Sequence, residues 1–367
     1  MGEANWQSCL NLSMENGTIT YDLQKMMSHV ADKPVSLARL ACILMAMGHG
    51  SQARGLCARA SELAPDSAEV EAISAEIFSY SIANWYFPMV HDHTRHALME
   101  TALKRAIRPG CRVLEIGTGT ALFAMMAARA GAGEVITCEK DPVVAATATE
   151  IIAANDLADR VRVIIKSSID LEIGIDIAEP ADVLIWDTLS NNMIGANAFA
   201  IVEHAARRLI RSGAPIIPAR GTVRIALAED RRFHLRRMHT VEGFDLSLFN
   251  RLAAPCYVVN VSDERLVLRS EPMDLFHFDF QSGGPFPEAD ASVSMTTLGG
   301  LVNGIAQWQC LELDDEVSYE NRPSVGASSV FDVVFHTLRR PVELKPGARL
   351  VVSATHDRLA FRIWADV

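Results

Sequence analysis

Two glycines and two nearby carboxylates are spaced in a way that suits a nucleoside-bearing ligand. Residues 113–123 read Val-Leu-Glu-Ile-Gly-Thr-Gly-Thr-Ala-Leu-Phe. Apolar residues and Glu115 lead into the turn Gly117-Thr118-Gly119-Thr120, and an apolar run from Phe123 to Ala130 follows. That order predicts a strand, a tight turn and the start of a helix. Glycine lets the backbone turn sharply and come close to a ligand. The amides of the turn and of the helix N-terminus then face that ligand. A second apolar run, Glu134–Cys138, predicts a strand that ends in Glu139. A carboxylate about 20 residues past the glycines, at the tip of the second strand, suits a ribose diol. The chemistry expected here is the binding of a nucleoside-containing cofactor.

Small differences decide which cofactor. A dinucleotide turn needs Gly-x-Gly-x-x-Gly, and Leu122 stands where the third glycine would be. NAD and FAD are therefore disfavoured. There is no Gly-Lys-Ser/Thr, so no P-loop. The pattern Glu115-x-Gly117-x-Gly119 resembles motif I of the class I S-adenosylmethionine (SAM) methyltransferases.

The elements that must hold these residues can be placed from pattern. At 367 residues the chain has room for two or three domains. Its 49% hydrophobic and 22% charged residues are ordinary for a soluble globular protein. No run reaches the roughly 18 apolar residues of a membrane span. The N-terminus lacks the regions of a signal peptide, and the expected location is cytoplasmic. Seven dispersed cysteines without a Cys-x-x-Cys pair read as reduced thiols. No His/Cys group has zinc spacing, and no metal is expected. The net charge of −11 argues against a nucleic-acid surface and is compatible with a basic polypeptide partner.

Residues 35–80 have helical spacing. Val35–Met47 stops at Gly48-His49-Gly50, and Ser51 is the expected N-cap of a helix to Leu63. Further helices are expected over Leu23–Val30 and Ser67–Tyr80. The spacing Leu37, Leu40, Ala41, Leu44, Ala53, Cys57, Ala60, Pro65 resembles one tetratricopeptide (TPR) repeat, although any amphipathic helical hairpin shares much of it. One or two repeats stack poorly, so this segment is expected to dock on the next domain or on a partner. An amphipathic helix carrying Asp92 and Arg95 then runs to Ile107. Strands at 113–116, 134–138, 161–165 and 181–186 alternate with helices at 123–130, 142–155 and 198–210. Residues 214–218 read as an edge strand or turn. The alternation predicts a parallel, doubly wound, Rossmann-like sheet. Ligands bind such sheets at the carboxyl ends of the strands, where Glu115, Glu139, Ser167, Ser168 and Asp187 all fall. From Gly221 the period becomes two, and nine short strands predict a β-barrel or sandwich. Arg231–Pro255 lies between the first two of them. With Phe244, Leu246, Leu248, Phe249 and Leu252 it reads as a loop with its own small core, or as a projecting contact arm.

This order over residues 80–367 resembles the protein arginine methyltransferase family. It is closest to the branch of the monomethylating type and its tetratricopeptide-bearing relative. Met89-Val-His-Asp92-His-Thr-Arg95, Val-Ile-Ile-Lys166-Ser-Ser, Met193-Ile-Gly195 and Trp308-Gln-Cys-Leu-Glu-Leu-Asp314 carry the likeness. The resemblance implies an N-terminal TPR-like segment (1–80), a SAM-binding Rossmann-like domain (81–218) and a β-barrel for substrate and dimerisation (219–367). It implies SAM as cofactor and S-adenosylhomocysteine as product. Arg95 would pair with the SAM carboxylate, which a guanidinium fork suits. Gly117, Thr118 and Gly119 would line the methionine moiety and ribose, and Glu139 would bind the ribose hydroxyls. Ser167 and Ser168 would contact adenine. Glu115, Thr120, Leu122 and Lys140 complete the cofactor-binding set. Family members usually dimerise through the arm, so a homodimer through residues 231–255 is expected.

Departures fall on the substrate side. The family holds the acceptor guanidinium with two glutamates on a hairpin after strand four. Asp187 takes the first place and Ala196 the second, so one carboxylate is missing. Asp187 would orient the nucleophile, with Glu203 or Asn197 as helpers. The family's Thr-His-Trp loop falls at Ser328-Ser-Val330, and Thr355-His356-Asp357 comes too late to replace it. The expected function is methyl transfer from SAM to a guanidino nitrogen of a polypeptide. The alternatives are a different acceptor, such as a small molecule, and a SAM-binding scaffold without turnover.

Overall fold

The computed structural model describes residues 29–366 except 81, 83, 84 and 196. The missing second carboxylate, at Ala196, and most of the expected helix 23–30 thus lie outside the described residues. The chain divides into two compact units, Met1–Tyr86 and Phe87–Val367.

The first unit contains helices α1 (Pro34–Ala46), α2 (Gly50–Leu63) and α3 (Ala68–Ser79). Pro34 opens α1, where a missing amide proton costs nothing. Ala38, Ala41, Ala53, Cys57 and Ala60 are fully buried, so small side chains let the helices approach. The N-cap of α2 is His49, without a side-chain cap. This corrects the expectation for Ser51, which sits inside the first turn. Ser67 does cap α3, accepting the Val70 amide.

A short turn, α4 (Tyr86–Met89), falls at the boundary, and the second unit continues with α5 (His93–Ala106). A five-stranded parallel sheet follows in the order β3-β2-β1-β4-β5. Its strands are β1 (Arg112–Ile116), β2 (Glu134–Cys138), β3 (Val161–Ile164), β4 (Val183–Trp186) and β5 (Ile216–Ile217). Parallel neighbours need crossovers, supplied among others by α6 (Leu122–Arg129), α7 (Pro142–Ala154) and α8 (Ala198–Arg208). Val183–Trp186 is buried throughout, as expected of a strand covered on both faces.

The remaining strands are antiparallel. They are β6 (Arg220–Asp230), β7 (Thr240–Val241), β8 (Phe244–Asp245), β9 (Cys256–Val259), β10 (Leu266–Leu268), β11 (Met273–Asp279), β12 (Ala289–Thr296), β13 (Gly300–Glu312), β14 (Ser318–Glu320), β15 (Val333–Leu344), β16 (Arg349–His356) and β17 (Phe361–Ala365). One sheet runs β10-β6-β13-β15-β9, with β11 on β6 and β14 on β13. A second runs β12-β16-β17, and β7 and β8 form a separate hairpin.

The α/β sheet and the β layer share one core. Trp186 meets Phe280 edge-on at 4.8 Å and donates its ring N–H to Pro218 O at 3.1 Å. Phe199 of α8 lies against Phe278 and Phe286 at centroid distances of 4.8 and 5.0 Å. Glu203 is buried in this joint. Its Oε1 accepts the Phe286 amide at 2.8 Å and its Oε2 accepts the Arg358 guanidinium at 2.9 Å. The role expected for Glu203 beside Asp187 is therefore corrected: both of its oxygens serve the seam between the layers. The arm 231–255 buries Phe233 but keeps most of its apolar side chains outward. Leu235, Phe244, Leu248 and Leu252 are 72, 72, 68 and 76% exposed.

Candidate active site

β1 ends at Ile116, and the chain turns at Gly117 with φ +87°. The amides of Gly117 and Thr118 both donate to Cys138 O, at 3.0 and 3.1 Å. The turn is thereby fixed to the tip of β2. A Cβ on Gly117 would lie 2.9 Å from Thr188 Cγ2, so glycine is required on both conformational and steric grounds. The Gly119 amide donates to Glu139 Oε2 at 3.4 Å, and the Asp141 amide to Glu139 Oε1 at 3.0 Å. The glycine turn and the acid expected beside it are thus in contact, at the carboxyl ends of β1 and β2. Ser168 is buried where a 3-10 turn opens after β3. Ser167 precedes it, while Lys140 points to solvent.

Glu115 lies below the turn. Thr137 Oγ1 donates to Glu115 Oε2 at 2.6 Å, and the Thr118 and Thr137 hydroxyls are 2.7 Å apart. Burial pushes the Glu115 carboxyl up to about 8, against the lowering effect of the Thr137 hydroxyl. Between the ordinary carboxylate range and that value the folded chain holds a proton that the unfolded chain has lost. Stability from this group therefore falls as pH rises through that window. Glu115→Gln is expected to gain in melting temperature relative to the native chain between about pH 5 and about pH 8. Thermal melts of the two ligand-free proteins check this, and parallel curves across the range would rule it out.

The other wall is built from α5, the segment after β4, and the loop before β15. Asp92 caps α5 by accepting the Arg95 amide at 3.0 Å. The same carboxylate accepts Tyr319 Oη–H at 2.6 Å and the Val330 amide at 3.1 Å. The Ser329 hydroxyl lies 2.5 Å from Tyr319 Oη. The Ser328-Ser-Val330 loop is therefore pinned to α5 through Asp92, while His356 is buried among Phe276, Phe278 and Phe361. Asn191 Oδ1 accepts the Asp332 amide at 3.0 Å, tying the segment after β4 to the same loop.

Arg95 is only 3% exposed. Its Nη1 donates to Asp187 Oδ2, and its guanidinium carbon lies 5.1 and 5.8 Å from the ring centroids of Phe123 and Phe331. Arg95 Nε has no hydrogen-bond partner among the described residues, nor has the buried Thr188 Oγ1. The residues expected to hold a carboxylate and a guanidinium are thus paired with each other, beside the glycine turn. Asn197 is exposed, with φ +65° at the N-cap position of α8. Sequence reasoning missed Asp92, Asn191, Tyr319 and Phe331 as site residues. An aspartate three residues before Arg95 is a legible cap signal; the others reach the site through long-range folding alone.

Residues 90–236 match the family described as ribosomal protein L11 methyltransferase (PrmA). The chain is 31% identical over 306 residues to an arginine N(omega)-methyltransferase of Streptomyces achromogenes subsp. streptozoticus, covering 82% of each protein. It is 33% identical over 266 residues to protein arginine N-methyltransferase 7 of Drosophila mojavensis. That match covers 65% of this chain but 37% of the Drosophila protein, so the chain spans little more than a third of that relative. Among solved structures it resembles the Trypanosoma brucei PRMT1 enzyme–prozyme heterotetrameric complex with AdoHcy. The TM-score is 0.68 at 19% identity, covering 78% of this chain and 94% of that one. At that identity the likeness shows the fold, a class I methyltransferase α/β sheet.

Proposed function

This chain belongs to the arginine N-methyltransferase family, and from that premise we propose that it methylates a guanidino nitrogen of arginine in a polypeptide, using the cluster around Asp187. It is a SAM-dependent methyltransferase. SAM supplies a methyl group on a sulfonium that is already activated, which leaves mainly proximity and orientation to the protein.

The residues present fit that cofactor. Glu139 at the tip of β2 suits the ribose diol, and the exposed Gly117 leaves room for close backbone approach. Ser167 and Ser168 flank the adenine side. Arg95 Nε is a buried, unused donor, which suits the cofactor carboxylate. Asp187 then orients the acceptor: its carboxylate accepts guanidinium N–H groups and turns one nitrogen toward the methyl. The observation that carries this reading is the buried Arg95–Asp187 pair beside the glycine turn and Glu139.

A second reading changes the acceptor to arginine or another small guanidine. It is favoured by the single hairpin carboxylate, Asp187, which already has an internal guanidinium partner. The Streptomyces relative is likewise named for arginine rather than for a protein. Incubation with deuterated-methyl SAM, arginine peptides and free arginine, followed by mass spectrometry, separates the two. Label on peptide guanidino nitrogens supports the first reading, and label on free arginine alone supports the second. SAM binding without label on either acceptor would overturn both.

The finer architecture belongs to the same reading: a TPR-like helical unit ahead of the SAM domain, and a β-barrel formed by the antiparallel strands. The outward apolar side chains of 231–255 would join two copies of the chain. A single-chain mass in sedimentation at high concentration would overturn that dimer. The six described cysteines are free thiols, which fits a reducing cytoplasm.

A further inference from the structure

Arg95 Nε is not alone in lacking a partner. His96, the next residue on α5, is 9% exposed, and its Nε2 is buried with no hydrogen-bond partner among the described residues. A hydrogen bond with the Met89 backbone favours a proton on the ring. With Nε2 unpartnered we assign that proton to Nδ1, which leaves a lone pair on Nε2. Burial, and then the Arg95 charge, hold the imidazole below its ordinary range and so keep it neutral.

Both side chains lie against one ring. Phe123 has the Arg95 guanidinium carbon 5.1 Å from its centroid and the His96 ring at 5.9 Å, edge-on. An unused donor and an unused ring nitrogen are therefore both buried against Phe123, and neither satisfies the other. Groups left in that state cost free energy that a ligand carrying the complementary pair would recover. An α-amino acid end, with one carboxylate and one ammonium, is that pair.

We propose that His96 is a binding residue for the amino-acid end of SAM, its Nε2 accepting a hydrogen bond from the ammonium while Arg95 Nε donates to the carboxylate. This rests on the cofactor placement given above and adds a contact to it. Hydrogen bonds to charged groups are the stronger kind, and the loss of one corresponds to about tenfold in affinity.

The test is calorimetry with two ligands: S-adenosylhomocysteine, and its analogue lacking only the amino group. The native protein should bind the first about tenfold more tightly. His96→Phe keeps an aromatic ring on Phe123 but offers no lone pair, and it should close that gap by weakening S-adenosylhomocysteine alone. His96→Gln, which keeps an acceptor and a donor, should retain the gap, and it serves as a second variant if the phenylalanine form does not fold. A gap that persists in His96→Phe, or equal losses for both ligands, would overturn the proposal. Failure of the native protein to bind S-adenosylhomocysteine would instead overturn the cofactor placement.

Discussion

Replacing Arg95 with alanine is expected to lower kcat/KM by at least about 100-fold, because the site would lose the group proposed to hold the SAM carboxylate, and Asp187 its partner. It should also destabilise the fold. Arg95 and Asp187 are 3 and 13% exposed, so the change strands a largely buried carboxylate. Removing one partner of a buried pair costs about 3 kcal/mol, which for a unit of this size is roughly 5–10 °C in Tm. Asp187→Ala should lose activity to a similar degree, having no carboxylate for the acceptor. The double variant separates the two effects. With neither charge present, most of the lost Tm should return while methyl transfer stays absent. Melting and turnover measured on all four proteins complete the cycle. Additive losses in Tm would show that the two groups do not pair in solution, and unchanged turnover in Asp187→Ala would remove that residue from the mechanism.

Gly117→Ala is the second large effect, and Gly110→Ala is its control. Both glycines have positive φ, +87° and +82°. Alanine at either should therefore cost about 1–2 kcal/mol in backbone strain. They differ in surroundings. The added Cβ at 117 meets Thr188 Cγ2 at 2.9 Å, whereas at 110 it meets nothing within 4 Å. Gly117 also stands exposed at the opening of the cofactor turn. Gly110→Ala should lose Tm through backbone strain alone and Gly117→Ala should lose more, because its Cβ also displaces Thr188. The kcat/KM for SAM should fall by about 100-fold in Gly117→Ala alone, since small misplacements at a reacting centre carry penalties of that order. Equal kcat/KM for SAM in the two variants would show that the turn does not position the cofactor.

The frame was legible in the sequence because it depends on local signals. Strand period, helix caps and the glycine turn placed β1, β2, α6 and α7 to within a residue or two, and all nine expected strands after Gly221 are present. The contact between Gly119 and Glu139 followed from strand-end logic alone. The rim was not legible in the same way. Tyr319 reaches Asp92 across 227 positions of sequence, and Asp332 reaches Asn191 across 141. No periodicity encodes such pairings. Glu203 shows the opposite failure. A carboxylate near the site in sequence was read as a helper in catalysis, but a helix face turned toward the β layer gave it Phe286 and Arg358 as partners.

That same carboxylate bears on what kind of machine this is. A hinge between two layers needs a joint that opens cheaply, with few buried groups and solvent-exposed hydrogen bonds. Here the joint is bolted by Glu203 and filled by Phe199, Phe278 and Phe286. The two layers are packed into one joint, which disfavours jaw-like clamping of one against the other. In the proposed reading, choice of acceptor falls to the segments 187–195 and 329–332, which are tied to each other through Asn191 and Asp332.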